Sequence, residues 1–162
     1  MADNLERGVV RIRHGERSDA GVIAELIVEL AEYERLASEV VWDERGLEEA
    51  LFGPDAVARV LLAETEEGEA VGFALYFPSF STFLGSAGIW LEDLYVRPAF
   101  RRRGVGRLLL GSLFSLTSGR VEWSVLSWNT EAISFYDTLG ARPIEGWVTY
   151  RWLPGNGPTT AQ

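Results

Sequence analysis

The chain of 162 residues has no cysteine and no lysine, a single histidine, His14, and a single methionine, Met1. Without cysteine there are no disulfides, no thiolate metal sites and no acyl-cysteine intermediate. One histidine leaves no His cluster for a metal, so no metal is expected, and it makes a Ser-His-Asp arrangement unattractive. The absence of lysine makes every basic residue an arginine and excludes both Schiff-base chemistry and a Walker lysine. No apolar run approaches the roughly 20 residues that a membrane span needs, and the opening MADNLERGVV is too polar for a signal peptide. A cytoplasmic protein with no membrane partner is expected. A net charge of -9 argues against general nucleic-acid binding and suits a small cationic substrate.

What is present is an ordinary globular composition, 47% hydrophobic and 24% charged, in a chain long enough to close one core. Its chemistry gathers in residues 91–110, LEDLYVRPAFRRRGVGRLLL, which read as an apolar strand, an arginine-rich loop and a helix opening on Gly104 and Gly106. The first backbone N–H groups of a helix lack intrahelical partners and favour an anion, and glycine lets the backbone approach a phosphate closely. Arg97, Arg101, Arg102, Arg103 and Arg107 supply five of the fifteen basic residues to this one segment. Such an island in an acidic chain points to a multiply charged anionic ligand.

Taken in order, residues 9–13 alternate as a short strand, and Ser18 or Asp19 is placed to cap a helix in which Val22, Ile23, Leu26, Ile27, Leu30 and Tyr33 recur at helical spacing. Asp43 is placed to cap a second, short helix that Gly53 and Pro54 end. Residues 58–65 and 70–77 form an apolar hairpin, residues 78–88 read as a Ser-, Gly- and Phe-rich loop, and residues 89–96 continue an antiparallel meander. A helix over about 104–116, a strand over 121–126, a helix over about 131–139 ending at Gly140, and a last strand over 147–152 complete the pattern. Two βα connections within an otherwise antiparallel sheet predict a mixed α/β fold.

This order of elements, with RRRGVG after LEDLYV and WNTEAISFYDTLGA near the end, resembles the GNAT acetyltransferase family. The resemblance covers about residues 9–153. It implies a mainly antiparallel twisted sheet flanked by about four helices, with a splayed strand pair at an acetyl-CoA site. One such domain would span residues 1–153, leaving 154–162 as a flexible tail. The segments ELAEYE, GFALYF, LEDLYV, WNTEAISFY, LGA and EGW are similar to the diamine acetyltransferases, which act on spermidine, spermine or thialysine. The resemblance implies that Leu94, Tyr95 and Val96 offer backbone groups to the acetyl-pantetheine arm of acetyl-CoA. Arg101, Arg102, Arg103, Gly104, Val105, Gly106 and Arg107 would wrap its phosphates. Asn129, Thr130, Glu131 and Ala132 would also touch CoA, and Tyr136 would sit by the sulfur. Tyr33, Glu34, Glu92, Glu122, Trp123, Ser124 and Glu145 match positions lining the amine site, although a solvated helix end explains Tyr33 and Glu34 equally simply. The resemblance also implies a homodimer. One carboxylate expected before the LED strand is missing, since the stretch reads Ser81, Thr82, Phe83, and this counts against tight binding of long polyamines.

Acetyl transfer to an amine needs a proton acceptor, because an amine of pKa about 10.4 is uncharged only about one part in a thousand at neutral pH. Glu92 is the candidate base; a carboxylate paired with an arginine is the plainer alternative. Asp93, next in sequence, should point to the opposite face of the strand in a structural role. A backbone N–H near Tyr95 would serve the thioester oxygen if the strand bulges. Tyr136 is the candidate acid for the leaving sulfur, with a core tyrosine as its alternative. The expected activity is N-acetylation of a polyamine, a diamine or a thialysine-like amino acid by direct attack in a ternary complex. The runners-up are another amine, such as an amino acid, an aminoglycoside or a protein N-terminus, and a CoA-binding sensor without turnover.

Overall fold

A computed structural model describes residues 9–154. The chain divides into two compact units, residues 1–124 and 125–162. Among the described residues of the first, five strands lie in the order β1 (Val10–His14), β2 (Arg59–Thr65), β3 (Ala70–Ser81), β4 (Ser86–Val96) and β5 (Val121–Trp123). The pairs β1–β2, β2–β3 and β3–β4 are antiparallel and β4–β5 is parallel. Three helices accompany them, α1 (Ala20–Tyr33), α2 (Glu44–Phe52) and α3 (Val105–Phe114), and the second unit holds α4 (Thr130–Thr138).

The strands β2 and β3 are buried along most of their length, as expected of strands covered on both faces. On one face Ile23, Leu26 and Leu30 of α1 and Leu47 and Leu51 of α2 pack with Val60, Leu62, Phe73, Leu75 and Tyr95. Leu61, Ala63 and Ala74 alternate with these and turn to the other face. There α3 buries Val105, Leu109, Leu110 and Leu113 against the sheet.

The predicted cap at Asp43 is present, its side chain accepting from the Gly46 N–H at 2.7 Å. Gly140 follows α4 with φ +84, the left-handed residue that a helix end favours. Asp19 does not cap α1. Arg13 claims its carboxylate through two hydrogen bonds of 2.7 and 2.9 Å, and the same carboxylate accepts the Glu16 N–H at 2.8 Å. Residues 78–88 are not a loop: β3 and β4 stay in register to Ser81 opposite Ser86, and the turn shrinks to residues 82–85. The strand expected over 121–126 stops at Trp123. Residues 147–152 form no strand, because alternation alone supplies no partner backbone to bond. Trp147, Val148, Tyr150 and Trp152 are all exposed, Tyr150 by 92%. The expected tail falls outside the described residues beyond 154. Among the described residues no helix is long and apolar enough to cross a membrane.

Strand β1 lies at the edge of the sheet and is held by charge as well as by its ladder. Glu64 of β2, 5% exposed, accepts from Arg11 and, at 2.7 Å, from Arg13. Both guanidiniums hold the Glu64 carboxyl below its usual range, Arg11 contributing most. A depressed carboxyl stabilises the fold above its unfolded pKa of about 4.3, and that contribution disappears as pH falls through the lower folded value. Glu64→Gln should therefore lower the Tm at pH 7, with the deficit shrinking as the pH is taken down towards about 3; differential scanning calorimetry at both pH values checks this.

Candidate active site

The site is built on an irregularity in β4. Phe77 lies opposite Trp90, Tyr76 opposite Leu91 and Leu75 opposite Asp93, so Glu92 is an extra residue, a β-bulge. On its other edge β4 meets β5 only across residues 89–91. Among the described residues of this unit, the β5 side of residues 92–96, which include Leu94, Tyr95 and Val96, has no sheet partner. The parallel pairing with β5 therefore ends just before the bulge.

The bulge also cancels the alternation that would separate Glu92 from Asp93. Trp90 Nε1 donates to Glu92 Oε2 at 2.9 Å, which ties Glu92 to the residue two positions back on the same strand. Asp93 lies beside Leu75, a member of the α1 core, so both carboxylates stand on the α1 side. The expected opposite placement of Asp93 is therefore corrected. Glu34, directly after the last turn of α1, is the third member of this group. Burial pushes the Asp93 carboxyl up to about 7, with further upward contributions from Glu92 and then Glu34. Burial also pushes the Glu34 carboxyl up. Among the described residues no arginine is paired with Glu92.

The loop after β4 is pinned before it reaches the glycines. Arg97 donates to Glu29 at 2.9 Å and to the Ala70 carbonyl at 3.0 Å. Arg101 Nε donates to the Val96 carbonyl at 2.8 Å, and its guanidinium lies 4.7 Å from the Tyr33 ring centroid and 5.5 Å from that of Tyr95. Cation–π stacking of this kind favours arginine over an ammonium group. Arg101 thus fastens the loop to β4 and to the end of α1. Arg102 (φ 62) and Gly104 (φ +86) then turn the chain through left-handed conformations. Helix α3 starts at Val105 with no side-chain cap, and the N–H groups of Val105 and Gly106 at such a helix start suit an anion. Arg102 and Arg103 are exposed beside it, and Arg107 lies in the first turn.

Of the other candidate positions, Glu122 is paired with Arg120 at 2.8 Å, Trp123 ends β5, and Ser124 follows it. In the second unit the Asn129 side chain caps α4 by accepting the Ala132 N–H at 3.2 Å, with Thr130 and Glu131 in the first turn. The Tyr136 ring lies 5.5 Å from that of Phe135 on α4. Glu145 is exposed in a turn with Gly146, φ +79.

A carboxyl raised from about 3.9 to near 7 is more protonated in the folded state than in the unfolded state, so stability falls as pH rises through that window. Asp93→Asn should stabilise the protein above pH 7, by as much as ~4 kcal/mol, and by far less at pH 4. Urea denaturation midpoints at pH 8 and pH 4 check this.

Residues 25–141 match the acetyltransferase (GNAT) family. The chain is 37% identical over 157 residues to a thialysine N-epsilon-acetyltransferase of Sus scrofa, an alignment covering 88% of this chain and 92% of that protein. It is 39% identical over 100 residues to an L-ornithine N5-acetyltransferase of Arabidopsis thaliana, covering 59% of this chain and 40% of the relative. Its fold matches that of an integron cassette protein from the mobile metagenome of V. cholerae with a TM-score of 0.74 and 24% identity, over 89% of this chain and 92% of that one. With a mixed five-stranded sheet, a bulged fourth strand and a glycine-led helix start, the chain belongs to the GNAT acetyltransferase family and is an N-acetyltransferase.

Proposed function

We propose that this enzyme transfers the acetyl group of acetyl-CoA to a primary amine of a small cationic substrate, a polyamine, a diamine or a thialysine-like amino acid, within a single catalytic domain over residues 1–153. The observation that carries this reading is the gathering of Glu34, Glu92 and Asp93 beside the unpaired edge of β4. Relatives named for thialysine and L-ornithine, both amino acids with a side-chain amine, support the substrate class.

In this reading the open β4 edge over residues 94–96 takes the pantetheine arm by strand-like hydrogen bonding. The first turn of α3, flanked by Arg102, Arg103 and Arg107, takes the phosphates. The left-handed Gly104 suits that role, because nothing lies within 4 Å of where its Cβ would be and the backbone is open to a close approach. Glu92 takes the proton of the amine as its nitrogen attacks the thioester carbon, directly or through a water. The N–H near Tyr95 steadies the charge on the thioester oxygen, and such a donor is worth a few kcal/mol. As the carbon–sulfur bond breaks, Tyr136 gives its proton to the sulfur. With no cysteine in the chain, attack is direct and both substrates are bound together.

Steady-state release of CoA with spermidine, spermine, putrescine, thialysine, L-ornithine, lysine and an aminoglycoside tests the assignment. A small cationic amine should lead, Glu92→Gln should lower kcat by about 100-fold or more, and Tyr136→Phe by about tenfold or more. Turnover only with the aminoglycoside or with a peptide N-terminus would move the substrate class, and tight acetyl-CoA binding without any turnover would make the protein a sensor.

Carboxylates that recruit a cation through a solvent-accessible approach are screened by salt. Raising NaCl to about 0.5 M should increase the KM of the amine severalfold, and a salt-independent constant would contradict this recruitment.

Gly104→Ala places an L-residue at φ +86, at a cost of about 1 kcal/mol, and narrows the approach to the helix start. The KM for acetyl-CoA should rise about fivefold or more while that for the amine stays constant; initial-rate kinetics with each substrate varied in turn separates the two.

A further inference from the structure

The bulge leaves Asp93 in an unusual setting. On its own strand it is faced by Glu92 and Tyr95, and from α1 by Glu34 with Tyr33 beside it. From β3 its neighbours are Leu75 and Phe77, since Tyr76 belongs to the opposite face. Arg101 is the nearby cation of the following loop, and its guanidinium is already spent on Tyr33, Tyr95 and the Val96 carbonyl. Among the described residues no ion pair reaches Asp93. A carboxylate that is partly buried, has no ion pair among the described residues and stands beside two others of like charge is costly to ionise until a positive charge arrives.

We propose that Asp93 is the proton-holding residue of the amine subsite: it keeps a proton while the subsite is empty and releases it when a cationic amine is seated beside Glu34 and Glu92. This rests on the amine acetyltransferase reading and deepens it. The step is a single proton transfer. The O–H bond of the Asp93 carboxyl breaks, the proton passes to water, and the carboxylate left behind balances the charge of the substrate. Its value near 7 places the exchange in the neutral range. Asp93 acts here on binding and specificity, as a positioning residue, while Glu92 remains the group that meets the reacting nitrogen. The subsite is thereby tuned to charge: an amine gains from the released carboxylate, and a neutral analogue of the same shape does not.

The experiment uses the full chain with CoA as the dead-end co-ligand and spermidine, thialysine and L-ornithine as probes. The carboxyl carbon of Asp93, assigned by its loss in Asp93→Asn, is titrated by NMR with and without amine, and amine affinity is measured by calorimetry at pH 6 and pH 8. The expected result is a resting midpoint near 7 that drops by at least about one unit with amine bound. Affinity should fall about fivefold or more from pH 8 to pH 6 in the parent, change less than about twofold in Asp93→Asn, and regain its slope in Asp93→Glu. An unmoved midpoint with amine bound, or the same slope in Asp93→Asn as in the parent, overturns the proposal. The resting titration needs no substrate. A midpoint at the ordinary value near 4 therefore overturns the proposal while leaving acetyl transfer intact. A midpoint near 7 with no amine binding overturns the amine reading instead, and the release step with it.

Discussion

A single extra residue in a strand must be accommodated by bending and twisting that strand, and in β4 the extra residue is Glu92. The bulge turns two consecutive acidic side chains towards α1 where regular pleating would separate them. It lies directly after the last residue that β4 shares with β5, so the parallel pairing stops at the point where the carboxylates stand. An acidic group for the amine and an open backbone edge for the thioester thus arise from one deviation. The flanking pairs are regular and the α1 core is packed against Leu75 and Tyr95, so the deviation has a single register available to it.

The loop beyond β4 depends on the same strand. Arg101 reaches back to the Val96 carbonyl and sits on the rings of Tyr33 and Tyr95, while Arg97 is held by Glu29. These two arginines clamp the loop, and those that follow stand around a helix start whose backbone donors are uncapped. Helix α3 is in turn fixed by Leu109, Leu110 and Leu113, all fully buried, so the anion site rests on the sheet. Against this support, Glu34 and Asp93 are carboxyls that no ion pair among the described residues neutralises. Destabilising groups gathered at a functional site are what is expected where binding rather than stability sets the side-chain chemistry.

The parts of the site that depend on local backbone chemistry were legible in the sequence. A helix opening on Gly104, the Asp43 cap and the Gly140 stop each follow from a few adjacent residues, and each is present. The parts that depend on pairing were not. Alternation predicted that Asp93 would turn away from Glu92, and only the register against Leu75 and Tyr76 shows otherwise, although two acids side by side in an apolar strand were a sign that simple alternation would fail. Asp19 has the composition of a cap, but Arg13 of β1 competes for its carboxylate, a contact that the sequence pattern of α1 does not contain. Residues 78–88 look like a loop by composition, yet they continue a two-stranded ribbon because each strand supplies the other's hydrogen bonds. The reverse holds at residues 147–152, where a strand-like pattern has no strand to pair with.

The central claim is that residues 92–96 keep one backbone edge free for an acyl-CoA thioester. Amide hydrogen exchange across this stretch, with and without acetyl-CoA, tests it most directly. The amides not committed to β3 should exchange readily in the free protein and become strongly protected when acetyl-CoA is bound, together with those of the first turn of α3. Binding of acetyl-CoA that protects the start of α3 but leaves residues 92–96 unchanged would contradict the account.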